Sequence, residues 1–153
     1  MISIRRATLA DALRIAELSG TLGYPIDPGT LHARLSRLLA SEADLVVVAI
    51  PPSGDLAGWI HGTDREFLET GRHGEIVGLV VDAAQRGLGV GRALVDAVES
   101  WARTRGLDRV VVRSNVVRLE SHPFYERIGY KRIKTQHVYR KGLNTNTIMP
   151  DHE

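Results

Sequence analysis

The segment QRGLGVGRAL, residues 85–94, places three glycines within five positions, directly before an apolar pattern with the spacing of a helix. Because glycine loses more backbone freedom on folding than any other residue, this density predicts that something approaches the main chain closely. The N–H groups of such a loop and of the first helical turn can hold an anion, and Arg86 and Arg92 add positive charge at its two ends. The segment therefore predicts an anion site, suited to a phosphate group.

The glycine spacing does not fit the two commonest phosphate loops. A mononucleotide P-loop ends in Gly-Lys-Ser/Thr, whereas Gly91 is followed here by Arg92 and Ala93. The dinucleotide fingerprint G-x-G-x-x-G fails in both registers, because Arg92 or Leu94 occupies its last position. The pattern that fits is R-x-x-G-x-G over residues 86–91. A nucleotide-binding domain that shares only the loop stays open as an alternative, and it predicts tight binding of ATP or NAD.

A strand before the loop and a helix after it are needed to hold the glycines in place. The sequence EIVGLVV, residues 75–81, has the continuous apolar composition of a buried strand. Apolar residues at helical spacing follow the glycines, at Val90, Leu94, Val98 and Trp101. The sequence therefore predicts a strand–loop–helix unit.

The whole chain is predicted to form one mixed α/β (α+β) domain, with helices on both faces of a central, twisted, mixed sheet. The predicted order of elements is β-α-α-β-β-β-α-β-α-β, and the last strand covers much of residues 130–141. The domain is expected to span residues 1–141, and the polar segment 142–153 is expected to be a tail.

Local signals predict where the first two helices begin. Thr8 followed by Asp11 is a capping-box pattern, and it predicts a first helix up to about Gly20. Its apolar face is expected to carry Leu9, Leu13, Ala16 and Leu18. The pair Asp27–Pro28 combines an N-cap residue with a proline suited to the first turn, so it opens the second helix.

Composition limits the classes of function. With 153 residues, 43% of them hydrophobic and 25% charged, the chain is typical of one globular domain, and no window is apolar enough for a membrane span. The absence of cysteine excludes a thiolate nucleophile and fits a cytoplasmic protein. Six scattered histidines lack metal-ligand spacing, so no metal is expected. A net charge of +2 and 5% aromatic residues argue against nucleic acid as a partner.

Three segments together resemble the GCN5-related N-acetyltransferase (GNAT) superfamily. They are R-x-x-G-x-G itself, the longer unit GEIVGLVVDAAQRGLGVG over residues 74–91, and RSNVVRLESHPFYERIGY over residues 113–130. The resemblance covers residues 2–141 and is most specific over 75–130. It implies a GNAT-like fold and an enzyme that transfers the acetyl group of acetyl-CoA to an amine by direct attack in a ternary complex.

The resemblance also implies how acetyl-CoA is held. The loop would bind the diphosphate, and the main chain of residues 79–81 would pair with the pantetheine arm. The N–H of Leu79, freed by a bulge in its strand, would donate to the thioester oxygen as negative charge develops there. The residues implied to contact acetyl-CoA are Leu79, Val80, Val81, Arg86, Gly87, Leu88, Gly89, Val90, Gly91, Arg92, Asn115 and Tyr125.

The resemblance implies two catalytic side chains. Tyr125 matches the tyrosine that protonates the departing coenzyme A sulfur, although it also suits a packing position. Glu75 matches the acid that serves as general base, and we expect burial to raise its pKa towards neutrality. The alternative for Glu75 is a solvent-facing residue at the start of a strand, and the alternative for Asn115 is a simple helix cap.

The acceptor pocket is expected between the first two helices, their connection and the third strand, with Tyr24, Trp59 and His61 in contact with the substrate. A small-molecule amine is the preferred acceptor, and a protein N-terminus or lysine is the alternative. A non-catalytic acyl-CoA-binding module is a further alternative. Homodimers are common among the proteins that the chain resembles.

Overall fold

The computed structural model describes residues 1–113, 121–144 and 146. The chain divides into two units, Met1–Arg113 and Ser114–Glu153. The first unit contains, in order, β1 (Ser3–Arg6), a 3-10 turn (Leu9–Asp11), α1 (Ala12–Thr21), α2 (Pro28–Leu39), β2 (Asp44–Ile50), β3 (Gly58–Phe67), β4 (Gly71–Val81), a second 3-10 turn (Ala83–Gln85), α3 (Val90–Thr104) and β5 (Val110–Val112). The second unit contains α4 (Ser121–Arg127).

The five strands form one sheet in the order β1-β2-β3-β4-β5. The first four strands are antiparallel, and β5 runs parallel to β4. The long β3–β4 hairpin reaches well beyond the three residue pairs that join β4 to β5. The prediction of a mixed α/β fold around a mixed sheet is confirmed. No helix among the described residues combines the length and the apolar character needed to cross a bilayer.

Helices α1 and α2 cover one face of the sheet. Their buried side chains, among them Ile15, Leu18 and Leu35, form one apolar cluster with Val48 of β2 and Val80 of β4. Burial of such side chains contributes about 1.5–3 kcal/mol each. This cluster supports the end of β4 that leads into the glycine-rich loop.

Glycines on the other face of the sheet let α3 approach β3 and β4 closely. A Cβ added at Gly62 would lie 3.0 Å from a methyl carbon of Val98, and one at Gly74 would lie 3.4 Å from the Cβ of Ala102. At Gly58 an added Cβ would lie 2.9 Å from the main-chain oxygen of Val80. The absence of side chains at these positions therefore sets the distance between α3 and the sheet.

The structure confirms the cap of the first helix and part of its predicted apolar face. The N–H of Thr8 donates to the Asp11 carboxylate at 2.8 Å, as the capping box requires. Leu9 and Leu13, however, are exposed. The buried positions of α1 are Ala12, Ile15, Ala16, Leu18 and Ser19. The prediction is thus confirmed at Ala16 and Leu18 and wrong at Leu9, which lies in the 3-10 turn before α1, and at Leu13.

The predicted last strand is absent from the described residues. Residues 131–142 have no regular secondary structure, and Ile133 and Tyr139 are 76% and 89% exposed. A strand needs a neighbouring strand for its main-chain hydrogen bonds, and the described part of the second unit holds none. The alternating apolar residues there were therefore insufficient to define a strand.

Candidate active site

The glycine-rich loop lies between the end of β4 and the start of α3, as predicted. Asp82 follows β4 directly, and its carboxylate accepts a hydrogen bond from the N–H of Ala84 at 3.1 Å, which holds the 3-10 turn. The chain then passes through Gly87 and Gly89 into α3, whose N-cap is Gly89. The first N–H groups of a helix have no partner within the helix, so those of α3 are oriented for an anion.

Two loop glycines are required by their backbone conformation. Gly87 and Gly89 have φ angles of +80° and +84°, in the left-handed region that other residues enter only at a cost. A Cβ added at either residue would meet no atom of the described chain within 4 Å. The space beside these glycines is therefore open, and a ligand can reach the main chain there.

Arginines surround the loop, one of them not singled out by the sequence. Arg86 is exposed, and Arg92 forms a long ion pair with Asp96, at 4.0 Å. Arg14 of α1 reaches the Asp82 carboxylate at 3.4 Å and donates to the main-chain oxygen of Leu56 at 3.2 Å. Arg14 and Asp82 are 68 positions apart, so no local pattern could have linked them.

A β-bulge interrupts β4 directly before the residues predicted to hold the thioester. In the pairing with β3, Gly78 lies opposite His61 and Ile76 opposite Gly62, which leaves Val77 as the extra residue. The pairing of β4 with β5 ends at Ile76. Beyond Val77, β4 is paired on its β3 side only, within the described residues.

The bulge also determines which main-chain groups face the unpaired edge. The N–H of Asp82 donates to the oxygen of Ala57 at 2.7 Å. In an antiparallel ladder, hydrogen-bonded pairs alternate with pairs whose N–H and C=O groups point away from the partner strand. The register therefore turns the main-chain groups of Leu79 and Val81 towards the open edge. An extended chain can hydrogen-bond along this edge as an added strand does.

Two of the three residues predicted to contact the acceptor, Trp59 and His61, lie on β3 next to this part of β4. The Trp59 ring packs over Gly78, where an added Cβ would lie 2.8 Å from a ring carbon. The indole N–H is buried and has no hydrogen-bond partner in the described chain. His61 Nε2 lies 2.8 Å from a carboxylate oxygen of Asp44. Because a carboxylate only accepts, Nε2 is the donor in this contact.

Asp44, the partner of His61, has a lowered pKa. Burial alone would raise the pKa of Asp44, but hydrogen bonds from His61, Ser41 and Thr63 and the charge of His61 outweigh it and lower that pKa. Tyr24 lies half-buried in the connection between α1 and α2, and its main-chain N–H donates to the oxygen of Ser19 at 2.9 Å.

Glu75 is 3% exposed and lies in a cluster of cationic and aromatic side chains. Arg65 of β3 donates to its Oε2 at 3.2 Å, and His73 Nε2 lies 3.2 Å from its Oε1. Arg113, the residue after β5, also donates to Oε1. The Phe67 ring lies 5.1 Å from the Arg65 guanidinium and 6.0 Å from that of Arg113.

These contacts correct the expectation that the pKa of Glu75 is raised. Burial does favour the neutral acid, but hydrogen bonds from Arg113 and His73, with the charges of Arg113 and Arg65, outweigh burial and lower the pKa. The expectation assumed apolar neighbours, whereas folding brings two arginines to the carboxylate. A carboxylate stabilised in this way is a weak base, so the electrostatics do not favour Glu75 as the group that accepts the amine proton.

The remaining predicted residues lie in the second unit. Tyr125 is half-buried in α4, and its ring centroid is 5.1 Å from that of Phe124 and 5.9 Å from that of Tyr130. The helix begins at Ser121 and the chain turns at a glycine in the left-handed conformation, Gly129, as predicted. Asn115 lies outside the described residues.

A cavity of about 350 Å³ lies away from the loop, at the opposite end of β2. Its lining includes Arg6, Asp44, Trp101 and Arg105, and one of these, Arg105, is held by Asp64 at 2.8 Å. The lining is largely polar. The cavity's lining residues come from the ends of β1, α2 and α3 and from the start of β2. The cavity is therefore separate from the edge of β4 and from the glycine-rich loop.

The site combines an open strand edge with a glycine-rich loop at a helix N-terminus. This arrangement defines a class of domain that is suited to bind a diphosphate with an extended chain attached. Residues 11–130 match the family described as "Acetyltransferase (GNAT) family". The match covers most of the chain, and the protein therefore belongs to the GNAT acetyltransferase family. The resemblance seen in the sequence is confirmed.

Similar proteins include enzymes with different acceptors. The chain is 29% identical over 145 residues to an aminoglycoside N(6')-acetyltransferase type 1 from Stenotrophomonas maltophilia, across 92% of this chain and 94% of that protein. It is 35% identical to glucosamine 6-phosphate N-acetyltransferase 1 from Oryza sativa subsp. japonica, across 77% and 78% of the two chains. The solved aminoglycoside N-acetyltransferase AAC(6')-Iy in complex with CoA shares the fold, with a TM-score of 0.83 and 18% identity over 92% of this chain and 95% of that one.

Proposed function

We propose that this protein transfers the acetyl group of acetyl-CoA to a primary amine of a small molecule. The observation that carries the proposal is the continuity of two features, the outward main-chain groups of Leu79 and Val81 and the glycine-rich loop that follows them. The first feature suits the amide-containing pantetheine arm, and the second suits the diphosphate. Family membership supports acetyl-CoA as the ligand that has both parts.

The residues of the loop and of β4 would bind and orient this substrate. N–H groups from Gly87 to Arg92, with the charges of Arg86 and Arg92, would hold the diphosphate. Acetyl-CoA brings an activated thioester, and the N–H of Leu79 would donate to its carbonyl oxygen as negative charge develops during attack. Loss of one donor of this kind typically costs 10²–10³ in kcat, about 2.7–4 kcal/mol.

In the proposed reaction, the amine nitrogen forms a bond to the acyl carbon, the carbon–sulfur bond breaks, and the amine gives its proton to solvent water. Tyr125 is proposed to give a proton to the departing sulfur, since a phenol with an ordinary pKa near 10 is a suitable donor to a thiolate. Asn115 is proposed to contact the pantetheine region. The proposal assigns no proton-accepting role to Glu75, because its arginine partners favour the ionised carboxylate that already accepts their hydrogen bonds.

The acceptor is proposed to bind beside β3, near Trp59, His61 and the half-buried Tyr24. The relatives named above act on a polycationic aminoglycoside or on an anionic sugar phosphate, so homology alone leaves the charge of the acceptor open. In this region Asp44 pairs with His61, and Glu75 pairs with two arginines. Since these two acidic side chains are already paired, neither of them offers a polycation an unbalanced negative charge. The proposed acceptor is therefore an amino compound of low positive charge.

The test begins with binding and continues with turnover. Thermal unfolding is measured with acetyl-CoA, ATP and NAD at equal excess, and acetyl-CoA at a hundred times its Kd should add about 2.7 kcal/mol to the unfolding free energy. Thiol release is then measured with neutral amino sugars, amino sugar phosphates and aminoglycosides. Stabilisation by ATP or NAD alone would refute acetyl-CoA as the ligand. Stabilisation by acetyl-CoA without thiol release with any amine would favour the non-catalytic module.

A further inference from the structure

Among the described residues, the pairing of β4 with β5 ends at one defined point. Their last paired residues are Ile76 and Val112. On β4 the next residue is the bulged Val77, and on β5 the next residue is Arg113, where the first unit ends. The edge that carries Leu79 begins immediately beyond this point. The position at which this pairing ends therefore determines where the open edge begins within the described residues.

One carboxylate joins three strands at this point. Glu75 pairs in register with Val111 of β5, one pair before the pairing ends. Arg65 of β3 donates to one oxygen of its carboxylate, and Arg113, the residue after β5, donates to the other oxygen. His73 of the same strand also contacts this second oxygen through Nε2. Both arginine side chains are about half exposed, whereas the Glu75 side chain is 4% exposed. The carboxylate is thus the buried centre of the cluster.

We propose that Glu75 and Arg113 are positioning residues which hold β5 against β4 up to Ile76, and so keep the edge at Leu79 in the geometry that binds acetyl-CoA. The inference rests on the proposed function for its ligand, but the clamp itself concerns only the two strands. Three paired residues give β5 few main-chain hydrogen bonds to β4. The ion pair adds a side-chain connection at the end of the strand, where fraying would otherwise begin.

This role differs from that of a general base in the effect that substitution should have. A base acts on the chemical step, and its loss lowers kcat with little effect on the affinity for acetyl-CoA. A clamp acts on the shape of the binding edge, so the loss of either partner should weaken acetyl-CoA binding. The two partners should also depend on each other, because each acts through the same contact.

The experiment compares Glu75→Gln, Arg113→Met and the double variant with Arg103→Met. Arg103 is an exposed arginine of α3 that pairs only distantly with Glu99, at 3.9 Å, and serves as the control. Each clamp variant should raise the Kd of acetyl-CoA by about tenfold, and the double variant should raise it no further than the single ones. The kcat at saturating substrates should change by less than about threefold, since no reacting group is removed.

Hydrogen exchange of the β5 amides tests the clamp without any ligand. Exchange at Val111, whose N–H the parallel register directs towards β4, should be faster in both clamp variants than in the wild type or in Arg103→Met. If Glu75→Gln fails to fold, Arg113→Met still decides the matter, because it leaves Glu75 with Arg65 and His73.

Two outcomes would overturn the clamp. One is unchanged exchange in β5 in the variants that fold. The other is a loss of kcat of about 100-fold or more in Glu75→Gln with normal acetyl-CoA affinity, which is the result expected of a base. A wild-type protein that does not bind acetyl-CoA would refute the proposed function, while the exchange measurement would still decide on the clamp.

Discussion

Substitution of Gly89 by alanine separates the two properties that the glycine-rich loop requires of this residue. One is the left-handed backbone, with φ at +84°. The other is an uncovered main chain, since a Cβ at this position would project into space that no described protein atom occupies. The first property concerns the stability of the free protein, and the second concerns the ligand.

The stability cost follows from the backbone conformation. A left-handed conformation costs a residue with a Cβ about 1–2 kcal/mol. Alanine recovers about 0.4–1 kcal/mol, because it has less freedom than glycine in the unfolded chain. No steric term is added, since the Cβ meets nothing within 4 Å. The net loss should be about 1 kcal/mol, which corresponds to about 2–4 °C in Tm for a domain of this size.

The effect on binding is a separate quantity. Backbone strain is present in the free and the bound protein, so it cancels from the Kd. The Cβ does not cancel, because it prevents a phosphate oxygen from reaching the main-chain N–H groups beside it. Loss of one hydrogen bond to a charged group costs about 1.5–3 kcal/mol, which predicts a Kd for acetyl-CoA raised about 10- to 100-fold.

The matched control is Gly71→Ala in the β3–β4 hairpin. Gly71 has a φ of +79° and equally open surroundings, but it lies at the opposite end of β4 from the loop. Both variants should lose similar stability in thermal unfolding, and calorimetric titration with acetyl-CoA should show weaker binding for Gly89→Ala alone. Equal affinities in the two variants would refute the assignment of the loop as the diphosphate site.

Three further results are expected. Tyr125→Phe should lower kcat for thiol release by about 100-fold while changing the Kd of acetyl-CoA by less than about threefold, and an equal loss of affinity would instead indicate packing. Gly78→Ala should reduce the unfolding free energy in urea by about 1–3 kcal/mol, because its Cβ would lie 2.8 Å from the Trp59 ring; unchanged stability would contradict that packing. Hydrogen bonds from Arg5 lower the pKa of Asp11, burial opposes them, and the Thr8 N–H assists them. The folded pKa thus lies below the unfolded value, so this stabilisation is present above about pH 4 and is lost as the pH falls. The unfolding free energy of Asp11→Asn should therefore depend less on pH between about pH 5 and 2 than that of the wild type, and parallel curves would contradict the argument.

Several features could be predicted from the sequence because they depend on neighbours along the chain. The glycine-rich loop, the cap at Asp27 and the glycine that ends α4 are local signals, in which the residue type itself sets the backbone conformation or supplies the hydrogen bond. Asp27, for example, accepts from the N–H of Thr30, three residues on. Recognition of the strand–loop–helix unit required only such local patterns.

Other features were decided by the tertiary structure because their causes are distant in the chain. The partners of Glu75 come from 10 and 38 positions away, and they reverse the direction in which burial alone would move its pKa. The bulge at Val77 depends on the register with β3, and it selects Leu79 and Val81 as the residues that face the open edge. The residue types alone indicated that these positions could contribute to the site. Whether a carboxylate is a base or an ion-pair partner, and which way a main-chain N–H points, depends on charges and strand pairing that exist only in the folded chain.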